Sequence, residues 1–453
     1  MADGVTGTSA SQGGEDLWAA AHPDDPDWQP WQVLDVDIAT GVPPILPTGA
    51  SGQTFSGAWV LVRAFNEPLG SVQLMAKSAV SPETLVGSFS SELTDAICDR
   101  LRNAGASLDD RRLPLNGFTP QELPQFLADR EKLINSGPEV TVVVCTRDQP
   151  QGLATCLQSL QAQSYSRTAI LVVDNAPSTS ESRGVVNALS GPLPVTYVSE
   201  PSPGLSNARN RALLEAQSDI VAWIDDDEIA DPHWVCELIR GFSLSPEAAF
   251  VCGVMIPGQL DTPAQLWFEE YGGHSKGRGF TPAVFSPDTA HQQSPLFPLP
   301  PFGTGGNMAM RTSARQSPRR FNPALGAGSL SKGNEDTKAL TDVLLAGGTV
   351  RYQPTAVTSH FHRRDFAAFE RQLHGYGVGL SAFYTSLILE QPSRLIPLAR
   401  LLPSALRELT RADGQRLGGV GPYFPRDVLK AHRRGMLGGS LAYIRASLAT
   451  RGR

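Results

Sequence analysis

The sequence predicts an α/β protein built on a mostly parallel sheet covered by helices, and three observations carry this prediction. After residue 139, short apolar runs alternate with segments whose apolar residues recur at helical spacing. The apolar runs are rich in Val and Ile and lack polar alternation, as in strands buried on both faces. Polar residues follow several of these runs directly. Open sheets of this kind bind ligands beyond the carboxyl ends of their strands, so these polar residues form the candidate site.

The individual elements follow from the same pattern. Strands are predicted at 140–144, 170–173, 194–198, 220–224, 250–255 and 349–353. Helices are predicted at 153–160, 207–216 and 340–344, where apolar residues recur every three or four positions. Residues 261–301 lose all periodicity and are rich in Pro, Gly and Ser, which predicts loops over the site.

The chain divides into four predicted parts. Residues 1–30 have little to bury and are expected to be disordered. Residues 31–135 form a small α+β module, residues 139–362 form the α/β domain, and residues 363–453 form a helical, basic region.

Two of these parts allow more detail. In the small module, strands 59–64 and 71–75 are joined by a turn at 66–70, and helices are predicted at 84–101 and 121–133. In the last part, segment 395–409 is apolar with interleaved arginines and is broken by Pro397 and Pro403. This segment fits either an amphipathic helix at a membrane interface or a leucine-rich face packed on the core.

Composition excludes several classes of protein. The first thirty residues contain no Lys or Arg, which excludes a signal peptide with a basic start, and no apolar run is long enough for a transmembrane helix. The five cysteines are widely spaced and lie in apolar runs, which indicates reduced thiols in a cytoplasm. The protein is expected to be cytoplasmic, and soluble or peripheral at the inner face of the membrane.

Charge is distributed unevenly along the chain. The net charge is −7, yet residues 361–453 carry 15 Lys and Arg against 6 Asp and Glu, a net charge of +9 that leaves −16 for the rest. A basic tail on an acidic protein indicates an anionic partner, either a lipid surface or a nucleic acid. A solvated helical surface rich in arginine explains the same residues.

The most unusual stretch is the aspartate loop, Asp225-Asp226-Asp227-Glu228, which follows the apolar strand at 220–224. Four carboxylates this close repel one another unless a cation lies among them, and oxygen ligands favour Mg²⁺ or Mn²⁺. Because Mg²⁺ is commonly shared between protein carboxylates and substrate phosphates, the expected partner is a phosphorylated ligand. A solvated acidic turn is the alternative.

Two other strands end in polar residues. Thr146 and Arg147 follow the first strand, and Asp174 and Asn175 follow the second. Each could serve only as a cap or a turn residue. Their shared place at strand ends instead favours a common site with the aspartate loop.

These segments together resemble a known family. Thr146-Arg147, Val173-Asp174-Asn175, the run from Gly204 to Asn210 (Gly-Leu-Ser-Asn-Ala-Arg-Asn) and Ile224-Asp225-Asp226-Asp227 are similar, in this order, to the nucleotide-sugar half of family 2 glycosyltransferases with the GT-A fold. The resemblance is to an actinobacterial type with an additional N-terminal module. It implies a nucleotide-sugar site formed by Thr146, Arg147, Asp174, Asn207, Arg209, Asp225, Asp226, Gly306 and Asn307.

The resemblance also implies individual roles. Asp174 contacts the nucleobase, Arg209 lies near the nucleotide, and the aspartate triplet binds ribose and metal, with Asp227 as the metal ligand. Gly306 and Asn307 belong to a glycine-rich turn, 303–310, placed beside the donor sugar; a plain hairpin turn is the alternative.

The remaining roles fall after residue 330. In Gly333-Asn334-Glu335-Asp336, the resemblance makes Asp336 the catalytic base and Glu335 its neighbour that binds the acceptor or orients the loop. Asn334 as an N-cap with two acids complementing the helix dipole is the alternative. In Ser359-His360-Phe361-His362, the resemblance favours His360 as a metal ligand, with His362 as its rival.

The function implied is inverting, metal-dependent transfer of a sugar from a nucleoside-diphosphate sugar to an acceptor hydroxyl, for cell-envelope glycan or glycoconjugate synthesis. The acceptor is expected to be a glycan, a lipid-linked molecule or a small molecule, and no nucleic acid partner is expected. The alternatives are a nucleotidyltransferase acting on sugar phosphates and a non-catalytic nucleotide-sugar-binding relative.

Overall fold

The computed structural model describes residues 28–275, 278–287, 302–410, 420 and 424–451. Residues 1–27, which belong to the segment expected to be disordered, lie outside the described residues. The fold class is confirmed: a small N-terminal sheet precedes a mixed α/β domain, and a helical region follows it.

The N-terminal module contains a three-stranded sheet and three helices. Its elements are β1 (Trp31–Asp37), β2 (Gly57–Ala64), β3 (Glu67–Met75), α1 (Pro82–Gly87), α2 (Ser91–Asn103) and α3 (Gln125–Ser136). β1 is parallel to β2, and β2 is antiparallel to β3.

Three local predictions in this module were wrong in their bounds. The turn between β2 and β3 is only Phe65-Asn66, both at positive φ, because Asp37 accepts hydrogen bonds from both backbone N–H groups at 3.0 and 2.6 Å. The helix expected at 84–101 is two helices: the first ends at Gly87, and Ser90 caps the start of α2 by accepting the N–H of Leu93 at 3.2 Å. The helix expected at 121–133 begins later, at Gln125.

Within the described residues the central sheet has nine strands, and six of them run in one direction. Its strands in chain order are β4 (Val140–Thr146), β5 (Thr168–Asn175), β6 (Val195–Glu200), β7 (Ile220–Asp225), β8 (Glu228–Ala230), β9 (Ala248–Pro257), β10 (Ala283–Phe285), β11 (Met308–Arg311) and β12 (Thr349–His360). Their order across the sheet is β10-β12-β9-β11-β7-β4-β5-β6, with β8 paired to β12. β8, β10 and β11 are antiparallel to their neighbours.

Helices cover both faces of this sheet. They are α4 (Pro150–Gln161), α5 (Glu181–Ala188), α6 (Leu205–Glu215), α7 (Trp234–Leu244), α8 (Pro263–Glu270) and α9 (Glu335–Leu345). Neighbouring strand residues point to opposite cores: Val142 and Val144 pack with the helix residue Leu153, whereas Val143 packs with Ala208 and Leu340. This explains why the strands read as unbroken apolar runs.

Two predictions within this domain need correction. Segment 261–301, expected to be loops, contains the helix α8 and the short strand β10 in its described part, while residues 288–301 lie outside it. The capping box of Thr262 and Gln265 starts α8. The strand expected at 349–353 continues to His360, since β9 and β8 pair with its second half.

The C-terminal region is helical, as predicted. It consists of α10 (Phe366–Glu390), a 3₁₀ turn (Pro392–Arg394), α11 (Leu395–Thr410) and α12 (Arg426–Arg451). α11 is one helix with Pro403 inside it, so the expected break is absent. α10 and α12 lie in close backbone contact, because a Cβ at Gly439 would come within 2.2 Å of the Val378 carbonyl oxygen.

Candidate active site

The candidate site lies at the carboxyl ends of three adjacent strands. β7, β4 and β5 are neighbours, and their register pairs Cys145 with Asp225 and Thr146 with Asp174. The strand ends therefore carry Asp225, Thr146 and Asp174 side by side along one edge of the sheet. Arg147 follows as a half-exposed side chain whose Nε lies 3.8 Å from Asp148.

Asp226 turns inward from the aspartate loop and ties it to β4. Its carboxyl accepts a hydrogen bond from the Thr146 hydroxyl at 2.6 Å. Burial raises the pKa of Asp226 to about 7, and the neighbouring carboxylates of Asp227 and Asp225 add to the rise although the Thr146 bond opposes it. Asp226 thus shapes the loop, and its contact with ribose stays a prediction.

A short strand brings His360 to the aspartate loop. β8 begins directly after Asp227, and its first residue, Glu228, pairs with His360 at the end of β12. As a result, Nε2 of His360 lies 3.5 Å from Oδ1 of Asp227, and the guanidinium of Arg363 lies 3.7 Å from Oδ2. Behind them Glu228 is buried, and burial raises its pKa well above the usual value.

Arg209 joins the two acidic parts of the site from inside the protein. Its guanidinium donates to Glu335 Oε1 at 2.8 Å and to the Gly305 carbonyl at 3.0 Å, and it lies 3.9 Å from Asp225. The side chain is only 2% exposed. Arg209 is expected to lie near the nucleotide, and this role stays a prediction, since the partners that the structure shows for Arg209 all belong to the protein.

Glu335 and Asp336 begin α9 and face different surroundings. Glu335 is buried against Arg209; burial raises its pKa to about 7, against the opposing effect of the guanidinium. Asp336 is half-buried and accepts hydrogen bonds from the N–H groups of Gly305 at 2.7 Å and Thr337 at 2.6 Å. Of the two roles expected for Glu335, orienting the loop fits this geometry, and contact with the acceptor does not.

Asn334 precedes this helix without capping it through its side chain. Its backbone is left-handed, with φ 67°, and its side chain makes no capping hydrogen bond. A Cβ at Gly379 of α10 would lie 2.6 Å from Asn334 Oδ1, so the C-terminal region packs directly on the loop that carries Asp336.

The glycine-rich turn fits tightly between these groups. A Cβ at Gly305 would lie 2.6 Å from the Arg209 guanidinium, and a Cβ at Gly306 would lie 2.1 Å from Glu228 Oε1 and 2.7 Å from Asp225 Oδ2. Both positions therefore require glycine for close approach, which the sequence alternative of a plain hairpin turn does not explain.

Asn307, predicted to lie beside the donor sugar, is turned into the interior in this structure. Asn307 is fully buried, and its amide donates to the carbonyls of Val254 at 2.8 Å and Ala356 at 2.9 Å. Its oxygen accepts from Trp234 Nε1 at 2.9 Å. Asn307 thus joins three separate segments in the interior, because each of its polar atoms satisfies a buried group.

Asn207 lies in the first turn of α6 and is partly exposed, and its contact with the nucleotide stays a prediction. Its amide donates to the Pro203 carbonyl at 3.0 Å, within its own turn. The nearby turn is held instead by Asn175, which donates to Ser202 and accepts from the Gly204 N–H, both at 2.8 Å.

Asp174 is buried and has one oxygen engaged. Oδ2 accepts a hydrogen bond from Tyr197 at 2.8 Å, whereas Oδ1 has no partner among the described residues. Burial raises the pKa of Asp174. Asp174 is 0% exposed, as buried as Asn307, so its contact with the nucleobase stays a prediction. Tyr197 was not identified as a site residue from the sequence. The available signal was its alternation with Val195 and Ser199, which places all three side chains on one face of the same strand.

A histidine cluster extends the site beyond His360. The ligand atoms of His274, His360 and His362 all lie within 4.8 Å of one another. Nδ1 of His360 lies 2.9 Å from Nδ1 of His362, and Nε2 of His362 lies 2.8 Å from Glu269 Oε1. Burial lowers the pKa of His362, although Glu269 opposes that effect. His274 and Glu269 come from segment 261–301, where the sequence offers no periodic signal.

The chain of groups from Glu269 through His362 and His360 to Asp227 allows a test of the metal prediction. The series contains three contacts between atoms that can accept a hydrogen bond, and each contact needs one proton to become a hydrogen bond. Two neutral imidazoles supply only two N–H protons for these three contacts. The gaps of 2.8 and 2.9 Å are hydrogen-bond distances, whereas the gap between His360 and Asp227 is 3.5 Å. A cation fits between His360 and Asp227, because two metal–ligand distances of about 2.1 Å each are together long enough to join their ligand atoms. The residues present therefore fit a divalent metal at Asp227 and His360.

Comparison with protein families decides the class of this domain. Residues 141–316 match the model described as glycosyl transferase family 2. This segment belongs to family 2 of the glycosyltransferases. The resemblance inferred from the motifs is thereby confirmed for this segment, which is a glycosyltransferase domain. The match includes the aspartate loop and the glycine-rich turn but ends before Glu335, Asp336 and His360, whose roles stay predictions.

Curated relatives of this glycosyltransferase share moderate identity. Succinoglycan biosynthesis protein ExoM from Rhizobium meliloti is 28% identical over 230 residues, which is 49% of this chain and 66% of the relative. Pre-mycofactocin glycosyltransferase from Mycobacterium tuberculosis is 25% identical over 300 residues, which is 64% of this chain and 57% of the relative. The chain thus spans about two thirds or less of the length of these relatives.

Two solved structures are similar at low identity. The mannosyltransferase PcManGT from Pyrobaculum calidifontis, solved with GDP-Man and Mn²⁺, has a TM-score of 0.40 and 17% identity, covering 72% of this chain and 81% of its own. TarS 1–349 from S. aureus has a TM-score of 0.37 and 14% identity, covering 66% and 90%. Among the described helices of the glycosyltransferase, none has the length and apolarity needed to span a membrane.

Proposed function

We propose that this glycosyltransferase moves a sugar from a nucleoside-diphosphate sugar to an acceptor hydroxyl, with inversion and with the help of a divalent metal. One observation carries the proposal: Arg209 holds the aspartate loop and the Glu335-Asp336 loop together, at 3.9 Å from Asp225 and 2.8 Å from Glu335. Two acidic groups far apart in sequence thus border one site. One binds the leaving side of the reaction, and the other activates the attacking side.

Asp227 and His360 would hold the metal, Mg²⁺ or Mn²⁺, on the leaving side. A divalent ion there acts as a Lewis acid and contributes several kcal/mol by neutralising the charge that develops on the diphosphate. Arg363, 3.7 Å from Asp227 and half-exposed, adds a cation next to the same carboxylate. The pairing of β8 with β12 fixes His360 opposite Glu228, and the Asp227 carbonyl accepts the Phe361 N–H at 3.1 Å, so the backbones of both proposed ligands are held together.

Asp336 would take the proton of the acceptor hydroxyl. Its carboxylate lies at the N-terminus of α9, where the helix dipole favours negative charge. Each oxygen accepts one backbone N–H bond, from Gly305 or Thr337, which fixes the orientation of the carboxylate and leaves lone pairs for the hydroxyl. A single base aimed at the acceptor is what an inverting displacement requires.

The donor nucleotide would lie along the strand ends. Asp174 Oδ1, which has no partner in the described part of the chain, suits an N–H of the base. The half-exposed guanidinium of Arg147 suits a phosphate or ribose oxygen. Asp225 and Gly306, which are close enough that a Cβ at Gly306 would lie 2.7 Å from Asp225 Oδ2, would border the donor sugar.

For the acceptor, we propose a cell-envelope glycan or glycoconjugate. The relative ExoM is named for succinoglycan biosynthesis, which motivates a glycan acceptor. The relative from Mycobacterium tuberculosis is named for glycosylation of pre-mycofactocin, so a small-molecule acceptor is the second candidate. Once the donor is known, transfer assays with lipid-linked glycans and with small molecules as acceptors distinguish these two classes.

We also propose peripheral attachment to anionic lipid at the inner face of the membrane through the outward face of α12. Four apolar side chains on this face are exposed at helical spacing: Leu437 (87%), Leu441 (52%), Ile444 (42%) and Leu448 (64%). The preceding turns carry Arg426, Lys430, Arg433 and Arg434, and α12 contains only one acid, Asp427. Apolar and cationic side chains on one face suit anionic headgroups, whereas a second copy of this face would bring like charges together.

Vesicle sedimentation tests this surface. We expect binding to vesicles containing phosphatidylglycerol, weaker binding at high salt, and loss of at least about tenfold in affinity for the double variant Leu441→Glu/Leu448→Glu, since each buried leucine contributes roughly 1.5–3 kcal/mol. Leu214→Glu, on α6 and 81% exposed, is the matched control and should bind normally. Equal binding by the double variant, or its conversion of a dimer to a monomer, would rule out lipid as the partner of this face.

Donor and metal are tested together by calorimetry. We expect one of UDP, GDP, dTDP or CMP to bind with Mn²⁺ and to bind more weakly with EDTA. Asp227→Ala should lose the metal-dependent part of the affinity, at least about tenfold, because a charge-assisted contact contributes roughly 1.5–3 kcal/mol. Asp261→Ala, which removes a surface acid paired with Arg364, is the control.

The same titration separates the alternatives. A nucleotidyltransferase would bind a nucleoside triphosphate and release pyrophosphate, and a non-catalytic relative would bind a donor without turnover. Metal-independent binding that Asp227→Ala leaves unchanged would remove the aspartate loop as the metal site.

A further inference from the structure

Beyond the proposed metal ligands, the structure contains a group that neither touches the metal position nor belongs to the aspartate loop: Glu269 on α8. Its Oε1 lies 2.8 Å from Nε2 of His362; the His362 side chain is buried, at 2% exposure, and the Glu269 side chain is mostly covered, at 11%. Burying a carboxylate is unfavourable unless it is paired or hydrogen-bonded, so this contact needs an explanation within the site.

The helix α8 holds residue His362 at two points. Gln265 donates from its amide to the His362 carbonyl at 3.1 Å, and Glu269, one turn later, contacts the His362 ring. The ring of Phe268 packs edge-on against His362 with centroids 4.7 Å apart. The capping box of Thr262 and Gln265 fixes the start of α8. The ring of His362 is therefore fixed in orientation.

These contacts determine where the protons lie. The Glu269 carboxylate can only accept, so Nε2 of His362 carries the proton that it donates. A neutral His362 then presents a bare Nδ1, which accepts the Nδ1 proton of His360 at 2.9 Å. His360 in turn presents its Nε2 lone pair toward Asp227, 3.5 Å away. A lone pair facing a carboxylate repels it, unless a cation lies between them.

We propose that Glu269 and His362 are positioning residues that set the tautomer of His360, so that its Nε2 lone pair is available to a divalent metal shared with Asp227. This inference rests on the proposed function, because it takes the metal position from it. Carboxylates and rings behind a metal-binding histidine fix its orientation and increase its basicity, and their loss commonly lowers metal affinity about 10–100-fold.

The test measures Mn²⁺ affinity by electron paramagnetic resonance, without nucleotide and without turnover. Glu269→Gln lets the amide donate to Nε2 of His362 and reverse the chain of hydrogen bonds, so we expect Mn²⁺ affinity about 10–100-fold lower. Glu269→Asp retains a carboxylate and should recover part of the loss. Asp261→Asn removes the same charge just before α8, from a surface ion pair with Arg364, and should bind Mn²⁺ as the wild type does.

Histidine ¹⁵N chemical shifts supply a second readout. We expect His362 to be protonated on Nε2 and His360 on Nδ1 in the wild type, and this pattern to be lost in Glu269→Gln. Unchanged tautomers together with unchanged Mn²⁺ affinity would overturn the proposal while leaving the metal site intact. Failure of the wild type to bind Mn²⁺ would instead overturn the proposed function.

A third experiment tests whether the same histidines bind a metal themselves. The three ligand atoms of His274, His360 and His362 lie within 4.8 Å of one another and could hold a metal themselves. Such a metal would persist in Asp227→Asn and be lost in His274→Gln, which would overturn the positioning role. The proposal expects the reverse, with the larger loss in Asp227→Asn.

Discussion

Asp336→Asn should lower kcat by about 10²–10⁴-fold and leave the affinity for the donor nucleotide nearly unchanged. The amide keeps the shape of the side chain but cannot take a proton from the acceptor. It can still accept the Gly305 N–H at one oxygen, so the position of the glycine-rich turn should persist. Steady-state kinetics on the identified donor and calorimetry with its nucleoside diphosphate give the two quantities separately.

Asp342→Asn is the matched control for this experiment. It removes the same charge from the same helix, and its partner Lys338 keeps a second carboxylate, Glu390, at 2.7 Å. Turnover close to wild type is expected for this variant. If Asp336→Asn also turned over at nearly the wild-type rate, Asp336 would not be the base, and the half-buried carboxylate would have only its structural contact with Gly305.

The sheet and its loops could be predicted from the sequence because their signals are local. Val140 to Val144 is an unbroken run of β-branched residues, and the strand it predicts carries Thr146 to the site edge. Strand neighbours follow from the parallel arrangement, so Thr146, Asp174 and Asp225 could be expected on one edge before any contact was known.

Side-chain partners could not be predicted in the same way. Asn307 has the residue type of a sugar-binding group, yet its amide joins Val254 and Ala356, which lie in two other strands. Arg209 has the residue type of a phosphate-binding group, yet Glu335 approaches it from a loop more than a hundred positions away. Such contacts depend on tertiary register, which no pattern within a single segment encodes.

The attachment of the N-terminal module to the α/β domain is the clearest feature that the sequence did not suggest. Its sheet shares a core with the catalytic domain, where Trp31 and Trp59 pack with Ile256 and Trp267. Arg63 also forms ion pairs at 2.8 Å with Asp35 of its own module and with Asp231 of the catalytic domain. The module is therefore attached by buried contacts, and this predicts that the two parts unfold together.

The largest effect on stability is expected at Glu237, which lies in the middle of this interface. Its carboxylate is 1% exposed and is bound by Arg130 at 3.0 Å, Arg240 at 3.3 Å and the Thr355 hydroxyl at 2.5 Å. Glu237→Gln keeps the shape but leaves the buried guanidinium of Arg130 without its carboxylate. Breaking a buried ion pair from one side costs about 3–5 kcal/mol, so the free energy of unfolding in urea should fall by that amount.

Glu139→Gln is the control, because Glu139 pairs with Arg167 at 3.3 Å on the surface and its removal should cost less than about 1 kcal/mol. A second, earlier unfolding transition in Glu237→Gln would indicate that the N-terminal module has separated from the catalytic domain. An equal, small effect for both variants would show that the buried network contributes little to the attachment.

The pH dependence of the Glu237→Gln effect gives an independent check on its cause. Burial alone would raise the pKa of Glu237, but Arg240 and Arg130 outweigh it and hold the pKa below its usual value. The unfolded chain, with a pKa of about 4.3, then binds more protons than the folded one in the interval between the two values. The contribution of Glu237 is therefore complete above about pH 4.3 and is lost as the pH falls through the folded pKa. The difference in unfolding free energy between wild type and variant should stay constant at neutral pH and shrink in acid; a difference that persists at low pH would mean that packing of the side chain, and not its charge, holds the module in place.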